Sequence, residues 1–259
     1  MELTDVSISK NLVAKRFGPN AVSRPDMLES LRKRGLSQEE LVTESIFQIV
    51  AGVDTTSTAL RGAILLVMSN ANVYRKLQAD IDDAVASNRV SRPVLQEAEF
   101  KLLPYLQAVV TESIRVFPPT LSLMTKVVPP EGDTVAIGDK SFFLRGGTNV
   151  SVCVQGLQHS KAIFGPDAEL FRPERWLDAS GEKLALMQKA VDFSFGYGRY
   201  QCMGKGIALA EVNKTVFELF RRFDVSLVNP VRPWDAWATR DFWLIKDFWV
   251  RITEREGVE

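Results

Sequence analysis

Residues 195–206 read Phe-Gly-Tyr-Gly-Arg-Tyr-Gln-Cys-Met-Gly-Lys-Gly, so that four glycines surround a single cysteine, Cys202. Apolar residues at helical spacing follow and predict an amphipathic helix; they are Ile207, Leu209, Val212, Val216, Phe217, Leu219, Phe220 and Phe223. Cys202 therefore precedes a helix whose first amides lack intrahelical partners and whose dipole favours negative charge. The thiolate is the form of cysteine that binds metals, and the glycines would let a flat or bulky group approach the backbone.

Two nucleotide-binding interpretations of this loop fail on spacing. A phosphate-binding P-loop needs four residues between its glycines, whereas Gly198 and Gly204 enclose five, and Gly206 stands where a serine or threonine should follow Lys205. A dinucleotide loop needs a third glycine at the position of Gln201. Two interpretations stay open: a tight turn with a buried, inert cysteine, and a lone thiolate that is the axial ligand of haem iron.

The stretch resembles the haem-binding loop of the cytochrome P450 superfamily, whose pattern is Phe-Gly-x-Gly-x-Arg-x-Cys-x-Gly. Five positions match in register: Phe195, Gly196, Gly198, Cys202 and Gly204. The resemblance implies haem b (iron protoporphyrin IX) as cofactor, with Cys202 as its axial thiolate. The family's arginine, which pairs with a haem propionate, is replaced by Tyr200, and Arg199 lies one residue earlier.

Composition and charge are those of an ordinary globular protein of 259 residues, with 46% hydrophobic and 25% charged residues. Lysine plus arginine and aspartate plus glutamate both number 32, so no basic footprint for nucleic acid is present. Two cysteines, Cys153 and Cys202, are too few for a disulfide framework, and the single histidine, His159, would need carboxylates to complete a zinc site.

Residues 1–5 do not resemble a signal or transit peptide. The longest apolar run, residues 63–68, is far shorter than the ~20 residues that cross a bilayer, so we expect no membrane-spanning segment.

A long helical pattern begins at a predicted capping box formed by Ser37 and Glu40. Its apolar positions continue for about eight turns: Leu41, Ile46, Ile49, Val50, Val53, Leu60, Ile64, Leu65 and Met68. Gly52 and the threonines after it disfavour helix, so two interpretations remain. The pattern is either two helices divided at Gly52, or one helix that opens locally beside a ligand. In the second, a threonine hydroxyl bonds to a carbonyl one turn back.

Residues 51–56, Ala-Gly-Val-Asp-Thr-Thr, are similar to the pattern of the family's long central helix, Ala/Gly-Gly-x-Asp/Glu-Thr-Thr/Ser. The resemblance implies that Asp54 and Thr55 are the acid and alcohol that deliver protons during oxygen activation. It also implies that Ala51 and Gly52 contact the haem. Proton delivery by positioned side chains is general acid catalysis.

Glu112 and Arg115 share one face of a predicted helix, residues 102–117, which is apolar almost all round and is therefore predicted to be buried. Glu-x-x-Arg alone is a weak signal. It matches the family's Glu-x-x-Arg helix, and residues 173–175, Pro-Glu-Arg, match a further family segment. The resemblance implies that Glu112, Arg115 and Arg175 form a structural triad whose role is in folding.

Residues 72–87 predict another amphipathic helix, whose apolar face carries Val73, Leu77, Ile81 and Val85. Two further segments are predicted to be β-rich. Residues 134–154 predict a small antiparallel sheet in which Cys153 is a buried strand residue. Shortly before this segment, a basic residue of the family contacts a haem propionate, and Lys126 is the candidate here. The C-terminal tail holds four of the five tryptophans and predicts a half-buried hairpin. In the family that hairpin can reach the substrate pocket, so residues around 238–241 are candidates for substrate contact.

The four motifs occur in the family's order. We therefore expect a mainly α fold with small β-sheets, namely the C-terminal part of the cytochrome P450 fold. This part comprises the long central helix, the Glu-x-x-Arg helix, the meander, the cysteine loop and the helix that follows it. Residues 1–259 are expected to form a single incomplete domain, because the family's N-terminal anchor and the helices that roof its substrate pocket have no counterpart here.

The resemblance implies a haem-thiolate monooxygenase, closest to fungal microsomal members, many of which serve secondary metabolism. Such enzymes insert one atom of O2 into a small organic substrate, with electrons from NADPH supplied through a flavin reductase. Arg199, Lys205 and Lys189 are candidates for a reductase-docking surface. Family members are anchored in the endoplasmic reticulum membrane, which implies the cytoplasmic face, or a soluble protein if the chain is truncated.

Two alternatives remain open. A non-catalytic haem-binding or inert fragment is suggested by the missing half of the family fold, without which water would reach the iron. An isomerase or dehydratase would keep the haem-thiolate, but Asp54 and Thr55 argue against this chemistry, because the resemblance implies that they deliver protons to oxygen.

Overall fold

A computed structural model describes residues 5–122 and 125–256 of the chain. The described residues are mainly helical, at 53%, with short antiparallel strands, which confirms the predicted fold class. They form two compact units, Met1–Thr55 and Thr56–Glu259, whose boundary falls inside a helix. The single incomplete domain stays a prediction. Residues 1–4, which carry most of the prediction about a signal peptide, lie outside the described residues.

The helices of the described residues are α1 (Asp5–Ala14), α2 (Met27–Lys33), α3 (Gln38–Met68), α4 (Ala71–Ala86), α5 (Pro104–Val116), α6 (Val154–Gln158), α7 (Lys161–Phe164), α8 (Arg175–Asp178), α9 (Gly181–Asp192) and α10 (Lys205–Arg222). Short 3-10 helices occur at Glu97–Leu102, Phe193–Phe195 and Gly198–Tyr200. The strands are β1 (Lys126–Val127), β2 (Asp133–Ile137), β3 (Lys140–Leu144), β4 (Asn149–Val150), β5 (Phe223–Leu227), β6 (Asp235–Ala238), β7 (Trp243–Lys246) and β8 (Val250–Glu254). They pair antiparallel as β1–β4, β2–β3, β5–β8 and β6–β7. The β6–β7 pair is the predicted C-terminal hairpin.

Helix α3 is one continuous helix of 31 residues, so the division into two helices at Gly52 is wrong. The predicted capping box is present at its start: the Ser37 amide donates to Glu40 Oε2 at 2.8 Å, and the Glu40 amide donates to Ser37 Oγ at 3.3 Å. The Thr55 hydroxyl donates to the Ala51 carbonyl at 2.9 Å, as the single-helix interpretation expected. The helix shows no local opening, because every residue from Gln38 to Met68 is α-helical.

By length and composition, α3 is the one helix of the described residues that could cross a membrane, with a mean hydropathy of 1.2 over its most apolar 18 residues. The expectation of no membrane-spanning segment rests on uninterrupted apolar runs, whereas this average includes the polar residues between them. This finding is weak evidence for a span, because the core helix of a soluble protein passes the same test. Ala59, Ala63 and Val67 of α3 indeed lie in the core of unit Thr56–Glu259.

The core of unit Thr56–Glu259 is formed mainly by α4, α5, α10 and the end of α3. The predicted apolar face of α4 is buried, at Val73, Leu77, Ile81 and Val85. Helix α10 buries Val216, Phe217 and Phe220 completely, as its spacing predicted. Each such side chain contributes about 1.5–3 kcal/mol relative to its exposed state. Helix α5 begins at Pro104, whose missing amide proton costs nothing at the first helical position.

A buried ion network brings Glu112, Arg115 and Arg175 into contact. The Glu112 and Arg115 side chains are completely buried, and Arg115 Nε and Nη2 donate to the two oxygens of Glu112 at 2.9 and 2.8 Å. Arg175 Nε donates to Glu112 Oε1 at 2.9 Å. The Arg172 amide donates to Oε1 at 3.0 Å and Trp176 Nε1 to Oε2 at 2.8 Å, so five donors converge on one carboxylate.

Asp167 supplies a second carboxylate, which lies between the buried Arg175 and the partly exposed Arg172. It accepts a hydrogen bond from Arg175 Nη1 at 3.1 Å and another from Arg172 Nε at 2.8 Å. Partial burial raises the pKa of Asp167, but the hydrogen bonds and charges of Arg175 and Arg172 outweigh burial and hold it below its usual value. Arg172 Nη1 also pairs with Asp178 at 2.7 Å, so three arginines meet three carboxylates and the charges of the network balance.

The prediction that Cys153 is a buried strand residue is wrong. Strand β4 ends at Val150, and Cys153 forms only an isolated bridge with Ser122. Its side chain is exposed and caps α6, because its Sγ accepts a hydrogen bond from the Gly156 amide at 3.3 Å. The β-branched residues around it favour a strand, but this local cap turns the chain into a helix instead.

Replacement of Glu112 by alanine should destabilise the chain by about 3–5 kcal/mol, because two buried guanidinium groups would lose their shared carboxylate. The free energy of urea unfolding, followed by circular dichroism, measures this loss. Glu211→Ala is the matched control: this glutamate is exposed on α10, and its loss should cost less than about 0.5 kcal/mol. Equal stability of the two variants would contradict a structural role for Glu112.

Candidate functional site

The loop that carries Cys202 is fixed by its own backbone. The Cys202 amide donates to the Phe195 carbonyl at 2.7 Å, which closes the loop. Gly196 turns the chain with a φ of +79°, and a Cβ atom there would lie 2.7 Å from the Tyr200 carbonyl oxygen. Only glycine satisfies both conditions, because this backbone region is strained for other residues and the space is absent.

The residues before the loop are held from the side by two other segments. Gln158, completely buried at the end of α6, donates through Nε2 to the Ala190 carbonyl at 2.7 Å and to Ser194 Oγ at 3.0 Å. The Thr120 hydroxyl donates to the Ser194 carbonyl at 3.3 Å. Ser194 is therefore fixed through both its side chain and its backbone, one residue before Phe195.

Cys202 is a free, exposed thiol beside exposed apolar side chains. Met203, the next residue, is 79% exposed, and Ile207 in the first turn of α10 is 60% exposed. Gly204 adds no side chain beside the sulfur, since a Cβ atom there would lie 3.8 Å from Cys202 Sγ. The buried, inert cysteine is therefore wrong. An exposed thiol flanked by apolar surface is suited to a flat apolar group that carries a metal.

Two cations meet at Tyr200. Lys126 Nζ, from β1, lies 3.3 Å from the centroid of the Tyr200 ring. Arg199 Nη2 donates to the Tyr200 hydroxyl at 2.6 Å, and the Arg199 guanidinium carbon lies 4.8 Å from the ring centroid. The hydrogen bond from Arg199 and the positive charges of Arg199 and Lys126 lower the pKa of Tyr200 below its usual value.

The tip of the C-terminal hairpin contacts the segment after α5. Leu121 donates its amide proton to the Asp241 carbonyl at 2.8 Å, and the Ser122 hydroxyl bonds to the Asp241 side chain. Phe242 forms an isolated bridge with Thr120. Thr120 thus contacts both the hairpin and Ser194. Substrate contact by residues 238–241 stays a prediction.

The predicted site residues form three groups. One loop contains Phe195, Gly196, Gly198, Cys202 and Gly204. Lys126 and Arg199 meet at Tyr200. Ala51, Gly52, Asp54 and Thr55 lie on α3 within unit Met1–Thr55, where Gly52 leaves open space in place of a side chain.

Sequence reasoning missed three supporting residues. The sequence pattern marks Tyr200 only as a departure from the family motif, although Arg199 stands beside it. Gln158 gave no signal, because its role depends on Ser194, 36 residues away. Asp167 joins the ion network through Arg175, a contact that no helical spacing predicts.

These residues fit a haem. The site offers one exposed sulfur ligand, a glycine-containing loop closed by the Cys202 amide, adjoining apolar surface, and two cations nearby for anionic groups. Haem bound by a single cysteine needs these features and no further protein ligand. Fold and site together define the class of haem-thiolate proteins.

The family model for "Cytochrome P450" matches residues 22–246, and the chain belongs to the cytochrome P450 family. It is 41% identical over 254 residues to "Cytochrome P450 monooxygenase aba1" of Botryotinia fuckeliana, an alignment that covers 98% of this chain and 49% of that protein. It is 43% identical over 224 residues to "Cytochrome P450 monooxygenase ABA1" of Pyricularia oryzae, an alignment that covers 86% of this chain and 43% of that protein. It is also 34% identical over 186 residues to "Pisatin demethylase" of Fusarium vanettenii, an alignment that covers 72% of this chain and 34% of that protein.

The chain thus spans about half the length of the curated relatives it matches. Family membership implies a haem with a cysteine thiolate as its axial ligand.

Gly196→Ala should destabilise the chain by more than about 1 kcal/mol, because alanine must adopt a positive φ and its Cβ collides with the Tyr200 carbonyl. Gly206→Ala is the control: it lies in the first turn of α10 with no atom within 4 Å of an added Cβ, and it should be neutral or slightly stabilising. Free energies of urea unfolding compare the two. A Gly196→Ala variant as stable as the unmodified chain would show that the loop has no need of this glycine.

Proposed function

We propose that this chain is the haem-binding part of a fungal monooxygenase that oxidises a small organic substrate with O2 and electrons from a reductase. The observation that carries the proposal is the exposed Cys202 thiol at the centre of a closed, glycine-containing loop. Two relatives that match most of this chain are named monooxygenases, which supports oxygen insertion as the reaction.

Cys202 would hold the haem iron, and Phe195, Gly196, Gly198 and Gly204 would shape the surface against which the haem lies. When bound, the haem supplies oxygen activation, and a thiolate ligand favours cleavage of the O–O bond by donating electron density. The closed loop presents the sulfur without a mobile backbone, because the Cys202 amide is already bonded to Phe195. Lys126 and Arg199 would contribute positive charge toward the haem propionates.

Asp54 and Thr55 are proposed to move protons during the reaction. Both lie on α3, and the Thr55 hydroxyl is oriented by its bond to the Ala51 carbonyl. A hydroxyl both accepts and donates, so Thr55 can receive a proton from Asp54, directly or through water, and pass it on. Ala51 and Gly52 would allow close approach of the haem to this turn.

NADPH is proposed to supply the electrons through a flavin reductase that docks near Lys189, Arg199 and Lys205. Lys205 already pairs with Asp192 at 2.8 Å, so its charge is partly neutralised. A role in secondary metabolism and a position at the cytoplasmic face of the endoplasmic reticulum membrane complete the proposal. The named relatives are fungal, which supports the first of these.

Cys202→Ala should abolish the strongly red-shifted Soret band that the reduced, haem-reconstituted chain is expected to show with carbon monoxide, because only a thiolate ligand produces it. Cys153→Ala is the matched control, since Cys153 is also an exposed, free cysteine. Absorption spectra of the reduced proteins with and without carbon monoxide measure both. Haem binding without the shifted band in the unmodified chain, or no haem binding at all, would favour a non-catalytic fragment.

Thr55→Ala and Asp54→Asn, made in the haem-reconstituted protein and supplied with a reductase, should divert O2 consumption from product to hydrogen peroxide, with product formation falling roughly tenfold or more. Peroxide release and O2 consumption are measured together. Thr43→Ala is the control, because Thr43 makes the same kind of bond, to the Glu39 carbonyl at 3.2 Å, earlier in α3. Unchanged coupling in both site variants would exclude Asp54 and Thr55 from proton delivery.

A further inference from the structure

We propose that Tyr200, held between Lys126 and Arg199, binds a haem propionate through its hydroxyl and replaces the arginine of the family pattern. This inference rests on the proposed haem site. It assigns a binding role to the one residue at which the cysteine loop departs from that pattern.

The hydroxyl of Tyr200 can donate a hydrogen bond to a ligand. A guanidinium group can only donate hydrogen bonds, so the Tyr200 oxygen is the acceptor in its 2.6 Å bond with Arg199 Nη2. The hydroxyl proton then remains for another acceptor, and Tyr200 has no such acceptor among residues 5–122 and 125–256. A carboxylate oxygen is the strongest acceptor that could meet it.

The charge at this point favours an anion. Neither Lys126 nor Arg199 forms an ion pair with a carboxylate anywhere in the described chain, although both contact the same tyrosine ring. Lys205 in the same loop region is paired with Asp192, and Arg175 is paired with Glu112. Two unpaired cations held close together repel each other, and a bound anion would relieve that repulsion.

The position selects a propionate as the anion. Tyr200 precedes Cys202 by two residues in a loop that the Cys202 amide closes, so a haem held by Cys202 would lie near the Tyr200 side chain. The propionates are the anionic groups of haem. Lys126 comes from β1, which is paired with β4, whereas Arg199 and Tyr200 belong to the cysteine loop. The position of Lys126 therefore does not depend on the loop.

Tyr200 would bind a propionate differently from the arginine of the family pattern. Arginine supplies a permanent charge and a bidentate donor in one side chain. Here Tyr200 supplies one directed donor, while Lys126 and Arg199 supply the charge. The Tyr200 ring also orders both cations through cation–π contacts, so each cation loses less freedom when the propionate binds.

The test combines a change in the protein with a change in the cofactor. The reconstituted chain and its Tyr200→Phe, Lys126→Met and Tyr200→Arg variants are each loaded with haem and with haem dimethyl ester, whose propionates carry no charge. Loss of either cofactor to excess apomyoglobin is followed by absorbance. Tyr197→Phe is the matched control, because Tyr197 is an exposed tyrosine of the same loop whose ring stacks on Phe193.

We expect Tyr200→Phe and Lys126→Met to lose haem roughly tenfold faster than the unmodified chain, the factor that one charge-assisted hydrogen bond supplies. With haem dimethyl ester the difference should vanish. Tyr200→Arg should retain haem as the unmodified chain does, and Tyr197→Phe should behave in the same way.

Three results would overturn the inference. Equal acceleration with both cofactors would show that Tyr200 supports the loop and does not bind a propionate. Unchanged retention of haem in both Tyr200→Phe and Lys126→Met would leave the cations for another anion, such as an acidic redox partner. Absence of the shifted carbon monoxide band in the unmodified chain would overturn the proposed function together with this inference, whereas an intact band with either of the first two results overturns this inference alone.

Discussion

The carboxylate of Glu112 is the constraint on which the larger unit depends. It is completely buried and accepts five hydrogen bonds, from two guanidinium groups, one indole and one backbone amide. A buried charge is tolerated only when its partners are fixed in good geometry. Glu112 therefore ties α5 to α8 and to the segment before α8, elements that local propensity alone would not bring together.

A continuous series of contacts leads from this carboxylate to the cysteine loop. Arg115 donates through Nη1 to the Gln158 carbonyl at 2.8 Å, and Gln158 donates through its side chain to Ser194. Ser194 precedes Phe195, whose carbonyl accepts the Cys202 amide. A single residue, Gln158, therefore connects the buried ion network to Ser194, which supports the cysteine loop. This connection explains physically how residues without contact to a cofactor can set the position of its ligand.

Sequence reasoning succeeded where the physics is local. The capping box at Ser37, the buried face of α4 and the helix after Cys202 all depend on residues within a few turns of each other. It failed at Cys153, because β-branched neighbours predicted a strand and one sulfur–amide bond capped a helix. The triad was anticipated from motifs, but its full set of donors was not, since Arg172 and Trp176 contact Glu112 across about 60 residues.

The most informative departure from the family pattern is Tyr200, where the motif and the structure lead to different conclusions. The missing arginine alone suggests a weakened contact with the cofactor. The structure instead brings a lysine from β1 onto the tyrosine ring, 74 residues away in the sequence, and places a neighbouring arginine on its hydroxyl. Positive charge and a directed donor are both retained, divided among three side chains. Because cation–π contacts are stronger when water is excluded, a cofactor that covers this cluster would itself reinforce the arrangement that binds it.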